Sequence, residues 1–433
     1  CHGLPIEHKV LKELGPRSKE LSTPAIRKRC HDYATRYVTI QAEQLERLGT
    51  MATYESPYLT MQPEYEGAVL EVFARLAEEG LVYRDLKPVH WSIENRTALA
   101  DAELEYYDRT DSSIYVLFLL DGKVNLPGPL HPPPEKDIWL MIWTTTPWTL
   151  PANEAVAVAP AAEYSLVRFT KEGTVRLAIV AGDLVPKVFS EISEIEVLGK
   201  CYGSELVDSG IRYEHPFQEK QAPVVGVDYV TLEDGTGLVH TAPGHGPDDY
   251  LTGMKEGLAI YCPVLEDGTF DTTVPDWLHG LSVWEANPVI IDHLREAGVL
   301  FHREDYRHSY PHDWRSKTPT IFRATEQWFV SVDRPFGEDR KSLREKALQA
   351  TRETIDFVPD WGRNRLTGML ESRPDWCISR QRAWGLPIPA FFTSQGELVL
   401  TPDSIRAVAR RFSESGSDVW FRETSAQLLK GYE

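Results

Sequence analysis

The chain has 433 residues, enough for about two or three domains rather than one core. Its 42% hydrophobic, 26% charged and 10% aromatic residues exclude the disordered and low-complexity classes. The net charge of -19 argues against non-specific nucleic-acid binding and leaves only local basic stretches, Arg363 to Arg365 and Arg380 to Arg382, for phosphate contact. Apolar runs such as Ile138 to Trp143 fall far short of the roughly 20 residues that span a bilayer, and no signal-like segment follows Cys1. A cytoplasmic protein with no membrane contact is expected. The five cysteines, Cys1, Cys30, Cys201, Cys262 and Cys377, form no C-x-x-C pair, which predicts reduced thiols rather than disulfides or a zinc finger.

In chain order, the opening Cys1-His2-Gly3-Leu4-Pro5, with no Met, predicts that upstream coding sequence has been cut away. Thr23 and Pro24 read as N-cap and first residue of a helix carrying Ala34, Tyr37, Val38, Leu45 and Leu48 on its apolar spacing, closed by Gly49. A second helix is predicted from Glu64 to Glu79, closed by Gly80, and then an extended segment from Leu81 that turns at Lys87-Pro88. From Ile114 to Val264 short β-rich runs alternate with Gly, Pro and Asp turns: Ile138 to Thr145, Glu154 to Ala159, Val175 to Val180, Ile195 to Leu198, Val224 to Tyr229 and Gly237 to His240. That spacing predicts a compact β-barrel or sandwich. Helical pattern returns after residue 310, with strong helix formers at Lys341 to Thr354. The order is that of one domain inserted into another.

Tyr83-Arg84-Asp85-Leu86-Lys87-Pro88 resembles a protein-kinase catalytic loop, but position 90 is His where a metal-holding Asn is required. A glycine-rich phosphate loop upstream and a D-F-G downstream are both missing, so a kinase stands only as the runner-up enzyme class.

Four stretches stand out, Cys1 to Glu7, Trp143-Thr144-Thr145-Thr146-Pro147-Trp148-Thr149-Leu150-Pro151-Ala152-Asn153, Gly235 to Tyr250, and Trp376 to Gly385. In this order they resemble class I aminoacyl-tRNA synthetases of the isoleucine type. Valine enzymes resemble Thr-Thr-Arg-Pro-Glu-Thr at the second stretch, and leucine enzymes put Phe-Gly where His2-Gly3 stands; neither is present here. The resemblance implies an α/β fold: a split Rossmann-like catalytic domain, present in part as 1–108 and 311–433, and an inserted β-barrel-rich editing (CP1) domain, 109–310. It also implies an isoleucine-tRNA ligase that hydrolyses mischarged Val-tRNA. Its partners would be the isoleucine-accepting tRNA, isoleucine and valine, and a monomer is expected. The runner-up readings are a valine-type synthetase or a non-catalytic tRNA-binding fragment.

One methylene supplies only about 1 to 3 kcal/mol of discrimination, so removing valine requires a second, hydrolytic sieve. Thr144, Thr145, Thr146 and Thr149 offer hydroxyls and methyls for such a pocket, and Thr144 and Thr146 share a face if the strand continues that far. The glycines around His240 allow close backbone approach, and His240 sits where a side chain contacts substrate. The family resemblance carries the amino-group carboxylate onto Asp249, with Asp248 as alternative, and His245 reads as a turn residue. For the synthetic site the same resemblance implies substrate-binding roles for His2, Gly3, Pro5 and Glu7 as a floor, and for Trp376, Gln381 and Trp384 beside the isoleucine side chain. ATP and Mg2+ are implied for the parent enzyme, but the His-x-Gly-His and Lys-Met-Ser-Lys-Ser signatures are absent, as is the Gly-x-Asp-Gln segment expected beyond Trp420. Editing is therefore expected to be the activity this chain retains. Family members with zinc carry Cys at the positions of Ser92 and Asn95 and again near His312, where this chain has Asp313, so no zinc or other metal is expected.

Overall fold

The computed structural model describes residues 2–121, 126–128, 130 and 137–432. Cys1, the first residue of the opening stretch, lies outside them. The chain divides into two compact units, Cys1–Asp85 with Glu326–Glu433, and Leu86–Thr325. The middle unit thus reaches beyond 109–310 at both ends.

In the first unit, α1 (Leu4–Leu14) starts behind Gly3, whose φ of 108° suits glycine, and carries Pro5 in its first turn. The next helix, α2 (Thr23–Arg47), is capped by Ser22 rather than Thr23, with Pro24 in its first turn. Val10 of α1 packs with Cys30 and Ala34 of α2 and with Trp384. Then comes α3 (Pro63–Glu78), whose Leu70, Phe73 and Ala74 build the other core of this unit with Ile405, Val408 and Phe412 of a later helix. Gly67 permits that approach, since a Cβ there would meet Ser413 Oγ at 1.8 Å.

The chain crosses to the second unit along β1 (Val82–Ser92). No turn interrupts it at Lys87-Pro88. Proline suits extended backbone, and pairing with β2 (Thr97–Leu99) begins only at His90, so Pro88 removes no donor from that ladder. A long β3 (Leu104–Leu119) follows, then β4 (Ile138–Thr144), a 3-10 turn (Pro147–Ala152), β5 (Ala155–Val158), β6 (Glu163–Lys171), β7 (Thr174–Ala181), a short α4 (Val185–Val188), β8 (Ile195–Tyr202) and α5 (Gly203–Asp208). After them come β9 (Arg212–Glu214), β10 (Gln221–Gly226), β11 (Leu238–Thr241), α6 (Pro247–Glu256), α7 (Val283–Glu296) and β12 (Leu300–Asp313).

Ten strands form one mixed sheet in the order β8-β6-β7-β4-β11-β5-β10-β9, with β3 paired to both β4 and β12. Parallel pairing joins β4 to β7, β4 to β11 and β5 to β10; the other pairs are antiparallel. All four residues of β5 are buried, as are Leu177 to Ala181 of β7, the signature of strands covered on both faces. From β3 and β12 a two-stranded ribbon extends from Val116↔Leu300 out to Leu104↔Asp313.

Returning to the first unit, β13 (Ile321–Val330) pairs through Phe329 and Val330 with β14 (Trp376–Cys377). Between them lie α8 (Leu343–Glu353), capped by Ser342 with Glu345 in a reciprocal box, and α9 (Gly362–Ser372); α10 (Pro402–Ser415) completes the α3 core. No helix among the described residues is long and apolar enough to cross a membrane.

Candidate functional site

β4 and β11 lie side by side and parallel, with Trp143 opposite Val239. Their carboxyl ends therefore open on the same edge of the sheet, where open α/β sheets offer a crevice to ligands. The Thr144 to Thr149 stretch leaves one end and the Ala242 to Asp249 stretch leaves the other, so two segments nearly a hundred residues apart in sequence meet here.

The strand stops at Thr144, and what gathers the threonines is a turn rather than the pleat. Thr146 N–H donates to Thr144 Oγ1 at 3.1 Å, and the Thr146 hydroxyl lies 3.3 Å from both Thr144 Oγ1 and Thr149 Oγ1. Thr149 Oγ1 donates to Thr146 O at 2.8 Å, which commits its proton. The 2.7 Å contact to His240 Nε2 is then donated by the imidazole. On the other ring nitrogen, Asn153 Nδ2 stands 3.2 Å from His240 Nδ1 while its second hydrogen goes to Ala155 O at 2.9 Å. Tyr213 fixes the amide by donating to Asn153 Oδ1. These partners assign His240 as the neutral Nε2–H tautomer. Burial, then the nearby His215 and His245, depress its pKa to about 3, so it stays neutral at physiological pH. Its Nε2–H donates to Thr149 and its Nδ1 accepts from Asn153. Thr145 is half-buried at the bend, between the two hydroxyls that bond.

On the segment that follows β11, Asp249 sits in the first turn of α6, where the helix N-terminus favours negative charge. Its Oδ2 accepts from Ala242 N–H at 2.8 Å and its Oδ1 from the Tyr229 hydroxyl at 3.5 Å. Burial raises its pKa; the Ala242 amide opposes this and the neighbouring Asp248 adds to it. Asp248 itself is exposed. His245 is buried in the turn before α6, donates Nδ1–H to Phe322 O at 2.9 Å and meets the Trp148 ring edge-on at 5.0 Å, joining the two segments. Sequence reasoning did not single out Asn153, Tyr213 or Tyr229. Asn153 lay inside a quoted stretch, whereas each tyrosine acts through one hydroxyl and has no local signal.

In the helical unit, Glu7 is buried and accepts from Trp384 N–H at 2.8 Å and Ala383 N–H at 3.3 Å. Gly3 N–H donates to Trp384 O at 3.3 Å, and the His2 ring lies 4.8 Å from the Trp384 ring. His2, Gly3, Pro5, Glu7 and Trp384 are thereby brought together. The Trp384 indole is 2% exposed, whereas Trp376 on β14 is 58% exposed. Gln381 Nε2 donates to Gln327 Oε1 at 3.2 Å.

The residues at the zinc-like positions satisfy one another. Ser92 Oγ and Asn95 Nδ2 donate to Asp313 Oδ2 at 2.6 and 2.5 Å, and Arg315 N–H donates to Asp313 Oδ1 at 2.8 Å. Burial would raise the Asp313 pKa, but these donors outweigh it and hold the carboxyl low. His312 Nδ1 donates to Tyr310 O, and the His90 ring packs tilted against Phe322 with its pKa depressed by burial to about 4. With oxygen and amide donors in place of thiolates, this cluster does not fit a zinc ion. Among the described residues no group of three His, Cys, Asp or Glu is placed to hold a metal.

The family described as "tRNA synthetases class I (I, L, M and V)" matches residues 1–433. The isoleucine–tRNA ligase of Kosmotoga olearia is 45% identical over 435 residues, covering 100% of this chain and 44% of its own length. That of Synechococcus is 46% identical over 436 residues, 99% of this chain and 44% of its own length, and that of Aquifex aeolicus 44% identical, 100% and 46%. The chain thus spans somewhat less than half the length of these relatives. Among solved structures, the P. knowlesi cytosolic leucyl-tRNA synthetase editing domain matches 45% of this chain and 96% of its own length, at 12% identity and a TM-score of 0.36. With the family match running from end to end, the chain belongs to the class I tRNA synthetases of the I, L, M and V group.

Proposed function

We propose that this chain is part of an isoleucine–tRNA ligase and that its β-rich unit hydrolyses valine wrongly esterified to the isoleucine-accepting tRNA. The observation that carries the reading is the hydrogen-bonded chain from Thr144 through Thr146 and Thr149 to a neutral His240, with the half-buried carboxylate of Asp249 on the adjoining segment. In this reading Asp249 holds the substrate α-ammonium. The two 3.3 Å hydroxyl contacts are the longest in the chain, so the ester or a water displaces them at least cost. Water attacks the ester carbonyl, the bond to the ribose oxygen breaks, and the water's proton ends on that oxygen. The Thr methyls and the His240 ring narrow the pocket for valine against isoleucine.

The helical unit's cluster of His2, Gly3, Pro5, Glu7 and Trp384, with Trp376 and Gln381, is assigned to isoleucine in the synthetic reaction. ATP and Mg2+ belong to that reaction, and none of the residues above is given a role in holding either. A monomeric, cytoplasmic enzyme is the setting proposed. Deacylation of Val-tRNA by the chain and by Asp249→Ala tests the assignment. A loss on the order of 100-fold is expected for a group that binds only the reacting aminoacyl end. Equal rates would remove Asp249 from the site.

A further inference from the structure

Cys262 differs from every other cysteine among the described residues. Cys30, Cys201 and Cys377 are buried; burial first pushes the first two thiols up to about 12 and raises the third. Cys262 is only half-buried. It lies beside the Gly244–His245 turn, where a Cβ on Gly244 would stand 3.0 Å from Cys262 Cβ. His245 is 8% exposed, and its Nδ1–H is committed to Phe322 O at 2.9 Å. Its Nε2 is buried without a hydrogen bond, and the Cys262 thiol is the titratable side chain beside it. Arg323, held by its Nε bond to Val264 O at 2.7 Å, adds positive charge beside the thiol.

A thiol, an unbonded imidazole nitrogen beside it and a carbonyl that fixes the imidazole are the parts of an activated nucleophile. We infer that Cys262 and His245 form a reactive thiolate–imidazolium pair, a covalent modification site for small soft electrophiles such as alkyl halides and peroxides. With iodoacetamide, the sulfur attacks the methylene carbon, the S–C bond forms as the C–I bond breaks, iodide leaves, and the thiol proton remains on His245 Nε2. With hydrogen peroxide, the sulfur attacks one oxygen, the O–O bond breaks, hydroxide leaves, and the sulfur is oxidised to the sulfenic acid. The electrostatics agree in direction. Burial opposes the thiolate, but His245, the Val264 backbone and Arg323 outweigh it and hold the thiol below its usual range. For His245, burial opposes the cation, while Cys262, the Phe322 carbonyl and Asp249 raise its pKa. This pair does not depend on the deacylation reading.

The test is the rate of iodoacetamide alkylation at each cysteine of the folded chain, followed by peptide mass mapping from pH 5.5 to 8.5. Cys262 is expected to react at least tenfold faster than Cys30, Cys201 and Cys377 at pH 7. Because burial alone slows those three, the decisive readouts are two others. The Cys262 rate is expected to stay nearly level from pH 8 to 6.5, where an ordinary thiol slows about tenfold per pH unit. His245→Asn is expected to restore that ordinary slope and cut the rate at pH 7 at least tenfold. A tenfold fall per unit in the wild-type chain, or a rate that His245→Asn leaves unchanged, overturns the inference. If the variant does not fold, the wild-type pH profile decides alone.

Discussion

The two candidate sites are held in different ways. In the β-rich unit, the polar groups lie on the ends of two neighbouring parallel strands, and each hydroxyl, amide and ring nitrogen bonds to the next. In the helical unit, charged side chains grip backbone far away in sequence. Glu7 holds the Trp384 loop, and Arg27 donates to Ala383 O, Gly385 O, Ser417 Oγ and Asp418 Oδ1 at 2.6 to 2.8 Å. The first arrangement positions neutral groups that a substrate can displace. The second spends full charges on fixing a loop. Acid should therefore weaken the first, and loss of a single cation the second.

The largest expected effect is on the pH dependence of the β-rich unit. His215 and His240 are both buried, and burial first depresses their pKa values from 6.5 to about 4 and about 3. The unfolded chain binds these protons at higher pH than the folded one. Their contribution is fully present above about pH 6.5 and is lost as pH falls towards 4 and 3, at about 1.4 kcal/mol per pH unit for each histidine. Urea midpoints measured between pH 7 and 4.5 should fall accordingly. A double variant, His215→Gln with His240→Asn, should be less stable at pH 7 but lose most of that slope. A flat wild-type profile would break the contrast.

Next is Arg27→Met. The guanidinium is buried, stacks 5.4 Å from the Trp384 ring and satisfies two carbonyls that the variant leaves without it. Breaking such a charge-assisted cluster costs about 3 kcal/mol. Chemical denaturation followed by far-UV circular dichroism should show that loss. Val-tRNA deacylation by the intact protein should change less than twofold, and a large change in it would contradict a site built only from the β-rich unit's own residues.

The same contrast explains what was legible in the sequence. Helices α2 and α3 and strands β4, β5 and β7 follow from local periodicity and from Pro and Gly at their ends. The β3 and β12 ribbon did not, because its outer half has no buried apolar face, and its pairing joins positions about two hundred residues apart. Thr144 and His240 stood out as parts of long stretches. Their closure into one network depends on β11 entering between β4 and β5, which no local pattern encodes. Arg27 gave no signal either, since a single Arg on an otherwise ordinary helix reads as a solvated residue until its four partners are seen.

The smallest effect sharpens the contrast most. Tyr213→Phe removes one hydroxyl and leaves the buried Asn153 Oδ1 without its donor. An unsatisfied buried amide oxygen costs about 1 to 3 kcal/mol. The amide can recover part of this by turning over, but that places its oxygen against His240 Nδ1 and withdraws the donor to Ala155 O. His240 would then need its Nδ1–H tautomer, and the bond to Thr149 would reverse, leaving Thr149 to donate to the ring instead of to Thr146 O. The expected outcome is a loss of about 1 kcal/mol in stability and a several-fold fall in the Val-tRNA deacylation rate, with substrate affinity little changed. The tautomer gives an independent readout. The 15N shifts of the His240 ring should exchange their donor and acceptor positions in the variant, and unchanged shifts alongside a slower rate would mean that Tyr213 acts on the site by some route other than Asn153.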